Sequence, residues 1–301
     1  LSLLGAAQAD VTVYGLFDAG LSGGDGKDTA ISYSNNSTTR LGVKGSADLG
    51  SGYKGNFQME AGKVEGDKAG APFLDRQAWV GLASGFGEVR FGRQDSVAFK
   101  ALIGFDANGA ANDTQAAFLA GVPTLGQNAL ANGKELFNYL SPSMSGFQLT
   151  VGLTPKGNRD TTADPMAKTS ASLGLTYATG PWAAAAVFES ANTDNTALQG
   201  NNGYSALAGS YDFGVAKLAA VVANGGTNAK GYNLAVTAPV RGATVGQQYA
   251  YNSDTKDSGT EFFVNKEVLK NTTAYFEYGT KKVDATGATN SLYSLGLIYA
   301  F

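Results

Sequence analysis

Residues 40–62 read Arg40-Leu41-Gly42-Val43-Lys44-Gly45-Ser46-Ala47-Asp48-Leu49, a Gly50-Ser51-Gly52 turn, then Tyr53-Lys54-Gly55-Asn56-Phe57-Gln58-Met59-Glu60-Ala61-Gly62. In the first run Leu41, Val43, Gly45, Ala47 and Leu49 share one face, and Arg40, Gly42, Lys44, Ser46 and Asp48 share the other. In the second, Tyr53, Phe57 and Met59 oppose Lys54, Asn56, Gln58 and Glu60. Successive side chains of a strand point to opposite sides, so each run is a strand with one apolar and one polar face. The same alternation returns in Phe147, Leu149, Val151 and Leu153, and in Tyr293, Leu295, Leu297, Tyr299 and Phe301 at the chain's end. Residues 135–140 and 182–189 are ambiguous, and a helical period is sustained only within 110–131.

Six further short turns follow the first: Gly85-Phe86-Gly87, Pro142 to Gly146, Thr179-Gly180-Pro181, Asp212-Phe213-Gly214, Pro239 to Gly242, and Glu267 to Asn271. Longer stretches rich in Asn, Asp, Gly, Ser and Thr lie between them, at 22–37, 155–169, 190–203 and 224–230. Seven short turns join fourteen strands, and one strand at each end makes sixteen. The spacing of the short turns leaves about 9–11 residues per strand, the length that crosses a bilayer when tilted. One interval is about two dozen residues longer than the rest and places an Ala-rich loop at about 95–133, after the fifth strand.

Short turns alternating with long loops, an even strand count and outward aromatics describe an all-β, 16-stranded antiparallel transmembrane β-barrel with an inserted constriction loop. In hydrocarbon every backbone polar group must be satisfied internally, which only a helix or a closed barrel achieves. No run here approaches 18 consecutive apolar residues, so the barrel remains. Sixteen strands leave an aqueous lumen, and the inward Lys, Arg, Glu, Gln, Asn, Thr and Gly suit water rather than a dry core. Composition removes most chemistry. With no histidine and no cysteine there is no Ser–His–Asp triad, no His- or Cys-ligated metal and no disulfide. No cofactor or metal is expected, and a formal charge of −3 gives no basic surface for nucleic acid. Asp25-Gly26-Lys27-Asp28 lacks the distal Glu of a calcium loop.

The opening Leu1-Ser2-Leu3-Leu4-Gly5-Ala6-Ala7-Gln8-Ala9 reads as the tail of a signal peptide with an Ala-x-Ala cleavage site, leaving 10–301 as a single barrel domain.

Several segments resemble the general porins of β-proteobacteria and Neisseria: Val11-Thr12-Val13-Tyr14-Gly15-Leu16-Phe17-Asp18, Arg40-Leu41-Gly42-Val43-Lys44-Gly45, Asp75-Arg76-Gln77-Ala78-Trp79-Val80-Gly81-Leu82 and Gly87-Glu88-Val89-Arg90-Phe91-Gly92-Arg93-Gln94. The ending Leu297-Ile298-Tyr299-Ala300-Phe301 resembles the signal read by the barrel-assembly machinery, with Phe301 as its aromatic terminus. The resemblance implies a homotrimer in the Gram-negative outer membrane, surrounded by outer-membrane lipid, with periplasmic termini and a third loop folded into the lumen. Asn138 stands where anion-preferring relatives tend to carry arginine, a departure that weakens the implication of anion selectivity.

Alternation puts Arg40, Lys44, Arg90, Lys54, Glu60 and Glu88 on the lumen side. Arg76 points inward if Trp79 meets lipid, and Trp79 is read with Tyr53, Phe57, Tyr299 and Phe301 as part of an outward aromatic girdle. Arg93 shares parity with Val89 and Phe91, which aims it at lipid, whereas the resemblance places it near the constriction. On the loop, Asp106 and Asp113 are candidates to face the arginines and generate a transverse field. Asp106 is equally readable as a turn or cap residue, and Asp113 reads first as one. The expected function is a general diffusion porin admitting ions and small hydrophilic solutes. The alternative is a substrate-selective channel for sugars or organic acids, with Tyr275 and Phe263 as inward aromatics. A barrel hydrolase would need histidine, and a soluble β-sandwich lectin does not fit sixteen strands with outward Tyr and Leu.

Overall fold

The structure is a computed structural model that describes residues 10–66, 73–126, 135–159, 161–196 and 202–301. The expected signal remnant at 1–9 and the end of the loop at 127–133 lie outside the described residues. Seventeen strand segments are present among them. They are β1 (Asp10–Gly24), β2 (Lys27–Tyr33), β3 (Arg40–Gly50), β4 (Tyr53–Gly62), β5 (Gln77–Ser84), β6 (Gly87–Gln94), β7 (Glu135–Leu140) and β8 (Phe147–Thr154). The chain continues through β9 (Ser170–Thr179), β10 (Trp182–Glu189), β11 (Tyr204–Asp212), β12 (Lys217–Asn224) and β13 (Lys230–Val240). It ends with β14 (Ala243–Asn252), β15 (Ser258–Leu269), β16 (Thr272–Lys282) and β17 (Thr289–Ala300).

Each strand from β3 onward pairs antiparallel with the next, and β17 returns to β1 through Leu16↔Ala300 to Gly24↔Leu292. The other edge of β1 is shared: Asp10–Leu16 pair with β3 and Ala19–Gly24 with β2. Segments β2 and β3 are thus two halves of one wall strand, interrupted at residues 34–39, and the wall is a closed barrel of sixteen strands. Closure leaves no open sheet edge for lipid to meet. All seven short turns fall where the sequence placed them.

Two details differ from expectation. The stretch 22–37 is no long loop: β1 runs on to Gly24 and turns at Asp25-Gly26 into β2, forming a hairpin. Its Asn and Ser residues concentrate in the interruption at 34–39. The inserted segment carries two short helices, α2 (Ala116–Ala120) inside the 110–131 stretch and α1 (Val97–Leu102) ahead of it, with a 3-10 turn at Ile103–Phe105. Gly121, at φ 71°, ends α2 in the left-handed region that glycine occupies without strain.

Candidate functional site

The lumen has two unlike walls. The wet one is built from β3 to β6. Arg40 opens β3 opposite Gly62, and Glu60 sits two residues earlier on β4. Arg76 precedes β5, tied by its backbone N–H to the Glu60 carbonyl at 3.2 Å. Its Nε lies 2.5 Å from Glu60 Oε1, and Arg40 Nε lies 4.0 Å from Oε2. Glu60 therefore bridges two guanidinium groups, and Tyr14 donates its hydroxyl to Glu60 Oε2 at 2.7 Å. Gly62 makes this possible, since a Cβ there would stand 2.6 Å from Arg76 Cδ. Lys44 lies over the Tyr14 ring, its Nζ 5.2 Å from the centroid.

Further along the same wall the Arg90 guanidinium covers the Trp79 ring at 4.1 Å and pairs with Glu88 Oε2 at 2.6 Å. Asn56 donates to Glu88 Oε1 at 2.8 Å. Trp79 corrects the sequence reading. It is buried inside the barrel with Nε1 donating to Gln77 Oε1 at 3.0 Å, and Val80 and Leu82 are the exposed, outward residues of β5. Arg76 reaches the lumen because it lies before the first residue of the strand, not because of its parity with Trp79. Lys54 pairs across from Asp48 beside the Gly50-Ser51-Gly52 turn, away from Glu60. Arg93 stands opposite Ala78, on the face of Phe91, where the pairing of β6 with β7 is interrupted between Phe91 and Gln94. Asn138 is fully buried opposite Arg90 and donates to the Asp95 carbonyl at 3.4 Å.

The sequence reading missed Lys100. It sits in the last turn of α1 with Nζ 3.3 Å from Gln94 Oε1, close enough in charge to act on both Glu88 and Asp95. Burial pushes the Asp95 carboxyl above its ordinary value, against the opposing pull of Lys100 and Arg76. Asp75, beside Arg76, accepts from the Gly62 N–H at 2.8 Å. This sector therefore holds five cations, Arg40, Lys44, Arg76, Arg90 and Lys100, against four carboxylates, Glu60, Asp75, Glu88 and Asp95.

The second wall is dry. Val97, Ala98, Ala101, Leu102, Phe105, Ala116, Ala117, Ala120, Val122 and Leu125 of the loop are buried. Most join one cluster with the inward faces of β10 to β14: Ala185, Val187, Tyr204, Ala206, Val221, Ala223 and Ala250. Ser96 caps α1, accepting from the Phe99 N–H at 3.1 Å. This half of the interior is a packed core, contrary to the expectation of a lumen hydrophilic all round. It also explains why 182–189 lacks a period of two: β10 faces apolar matter on both sides.

The loop's far end is held by polar contacts. The Asn112 and Asp113 N–H groups donate to the carbonyls of Asn36 and Asn35, each at 3.1 Å. Asp18, fully buried, organises that segment by accepting from Asn36 N and Ser37 N at 2.8 Å and from the Tyr275 hydroxyl at 2.7 Å. Asn108 donates to Glu261 at 2.8 Å and Glu277 at 2.9 Å, and the Thr114 hydroxyl lies 2.9 and 3.0 Å from the same two carboxylates. Asp106 is also buried. Its Oδ1 accepts from Asn108 N at 3.1 Å and Ala110 N at 2.9 Å, and Oδ2 accepts from Gln115 at 2.7 Å. Gln248 on β14 adds a donor at 3.3 Å. Asp106 thus shapes the loop and faces β14. Asp113 accepts from Ser294 on β17 at 3.4 Å, and burial pushes its carboxyl up. Asp106 makes these contacts toward β14 and Asp113 toward β17. Tyr275 and Phe263 point inward but are buried, Tyr275 with its hydroxyl on Asp18 and Phe263 with its ring against Gly246. Phe301 extends β17, exchanging two backbone hydrogen bonds with Gly15 at 3.0 Å.

A family model described as Gram-negative porin matches residues 2–286. An outer membrane porin protein of Bordetella pertussis is 32% identical over 276 residues, covering 78% of this chain and 70% of that protein. Outer membrane porin protein 32 of Delftia acidovorans is 30% identical over 276 residues, covering 84% of this chain and 77% of that one. Among solved structures, an anion-selective porin from Comamonas acidovorans superposes with a TM-score of 0.82 at 23% identity, covering 98% of this chain and all of that one. That last likeness speaks to the fold.

Proposed function

Because the chain belongs to the Gram-negative porin family, we propose that its lumen is a diffusion path preferring anions, with the preference set by the β3–β6 wall. The channel itself, an outer-membrane passage for ions and small solutes without enzymatic activity, follows from the family and the closed barrel. The observation that carries the preference is the imbalance of charge. Five cations and four carboxylates share the wet sector, while Asp106, Glu261 and Glu277 are buried elsewhere. Fixed charge beside a narrow, low-dielectric opening concentrates the oppositely charged ion. The whole-chain charge of −3 is irrelevant to this, because most of it lies elsewhere. Lys100 supplies from the loop a cation close to the place where the wall carries neutral Asn138. The Comamonas porin's description as anion-selective agrees with this reading.

A binding track for one sugar or organic acid has less support, since Tyr275 and Phe263 are covered. A homotrimer with periplasmic termini, removal of residues 1–9 on export and recognition of Phe301 by the barrel-assembly machinery complete the proposal. The test is the reversal potential in a salt gradient across a planar bilayer. The wild type is expected to prefer anions, and Arg40→Ala or Arg76→Ala to shift toward cations. An Arg40→Ala channel with the wild-type potential removes Arg40 from the selectivity set.

A further inference from the structure

The loop meets the wall on a belt of small residues. Gly174, Val187, Ala206, Ala223 and Gly231 are direct cross-strand neighbours from β9 to β13, forming one row around the inside. Ala250 and Gly259 continue it as a pair on β14 and β15. At three glycines the loop alone occupies the space a side chain would need. A Cβ on Gly259 would stand 2.1 Å from the Ala116 carbonyl oxygen and 3.1 Å from Ala120 N. One on Gly279 would stand 3.0 Å from Leu119 Cδ1 and from the Thr114 carbonyl oxygen. One on Gly174 would stand 2.6 Å from Val97 Cγ1. In all three cases the three nearest atoms belong to the loop, and none of these glycines has a positive φ. The backbone conformation permits any residue there. Space alone demands glycine.

We infer that Gly174, Gly259 and Gly279 determine the bore of the channel, by fixing how deeply the constriction loop sinks into the wall. The loop fills one side of the lumen, so any outward shift of its backbone from the wall narrows the open side by the same amount. Carbon and oxygen are in ordinary contact beyond about 3.4 Å, so a methyl at Gly259 displaces α2 by roughly 1 Å. The β15 and β16 seats place α2, and the β9 seat places α1. Size exclusion is then encoded in wall residues that no solute touches. This rests on the lumen being the solute path, and is independent of which ion it prefers.

The test uses full-length protein in planar bilayers and in liposomes swollen with saccharides of graded size. Gly259→Ala and Gly174→Ala are expected to conduct less than the wild type and to exclude the largest saccharide it admits. Outward Gly209, with nothing within 4 Å of its missing Cβ, serves as the control and Gly209→Ala is expected to match the wild type. Gly174 offers a rescue. Val97→Ala removes the atom that a methyl at 174 would strike, so Val97→Ala with Gly174→Ala is expected to recover the conductance lost by Gly174→Ala alone. If Gly259→Ala fails to assemble, Gly279→Ala, with its longer contacts, carries the same expectation. The inference is overturned if the folded glycine variants conduct and exclude like the wild type. It is equally overturned if the double variant stays as low as the single one, because alanine would then be acting through the strand. A wild type that does not conduct at all would instead defeat the channel reading.

Discussion

The β3–β6 wall and the β10–β12 wall belong to the same sheet and obey the same alternation, yet one interior face is ionic and the middle of the other is Ala, Val and one Tyr. What differs is the neighbour. The first wall faces solvent, so Arg40, Arg76 and Arg90 keep their charge with partial pairing to Glu60 and Glu88. The second faces the inserted loop, where an unpaired charge would be stripped of water with no compensation. A porin interior is therefore a core on one side and a channel on the other, and the loop decides which is which.

The sharpest way to break the contrast is to place a charge on the dry wall. Ala206 is buried, opposite Val187 and Ala223, with no described cation in its cluster. Ala206→Glu buries an unpaired carboxylate at a cost of about 3–5 kcal/mol. The sheet's own hydrogen bonds are untouched, so the barrel is expected to close while the loop leaves its seat. Raised single-channel conductance and lost size exclusion, in protein that keeps its folded mobility on a gel, would show this. A folded Ala206→Glu barrel with wild-type conductance would mean that the apolar cluster does not hold the loop. Removing a charge from the wet wall has a smaller and different effect. Glu60→Gln leaves Arg40 and Arg76 without their shared counter-charge and is expected to increase anion preference, read as a reversal potential displaced further in the anion direction. No change, or a cation shift, would exclude Glu60 as the brake on those two arginines.

Much of this is legible in the sequence. Period-two alternation and the turn positions define strand number, closure and the inward parity of Arg40, Lys44, Arg90, Glu60 and Glu88. Alternation names the face of a residue but not what lies against it, and there the reading failed. Trp79 looked like a membrane aromatic because tryptophan favours interfaces. Inside, its ring is covered by Arg90 from the neighbouring strand and its Nε1 is held by Gln77. The dry wall was hidden because its strands are apolar on both faces, which erases the signal by which half-buried strands are recognised. Glu261 and Glu277 drew no reading from the sequence, since nothing local reveals that Asn108 and Thr114 will reach them from more than a hundred residues away. Lys100 lay in a loop whose formal charge is acidic, and only the burial of Asp106 leaves it prominent.

The smallest expected effect concerns the polar end of the loop. Burial holds the Asp113 carboxyl above its ordinary value, with Ser294 and the nearby Lys27 and Lys63 opposing. When the loop lifts, Asp113 returns to water and to the ordinary carboxylate value. The docked loop therefore binds the proton more tightly than the lifted one. Its attachment is strongest below the ordinary value and weakens as pH rises through the raised one. Asp113 is only half-buried, and solvent screening keeps the effect small. Open-channel noise, which reports loop movement, is expected to rise in the wild type as pH climbs above the free carboxylate value, about pH 4. Asp113→Asn keeps the shape and removes the titration, so its noise should follow pH less steeply than the wild type's. Equal pH dependence in the two proteins would assign the titration to another group and leave Asp113 as a turn residue alone.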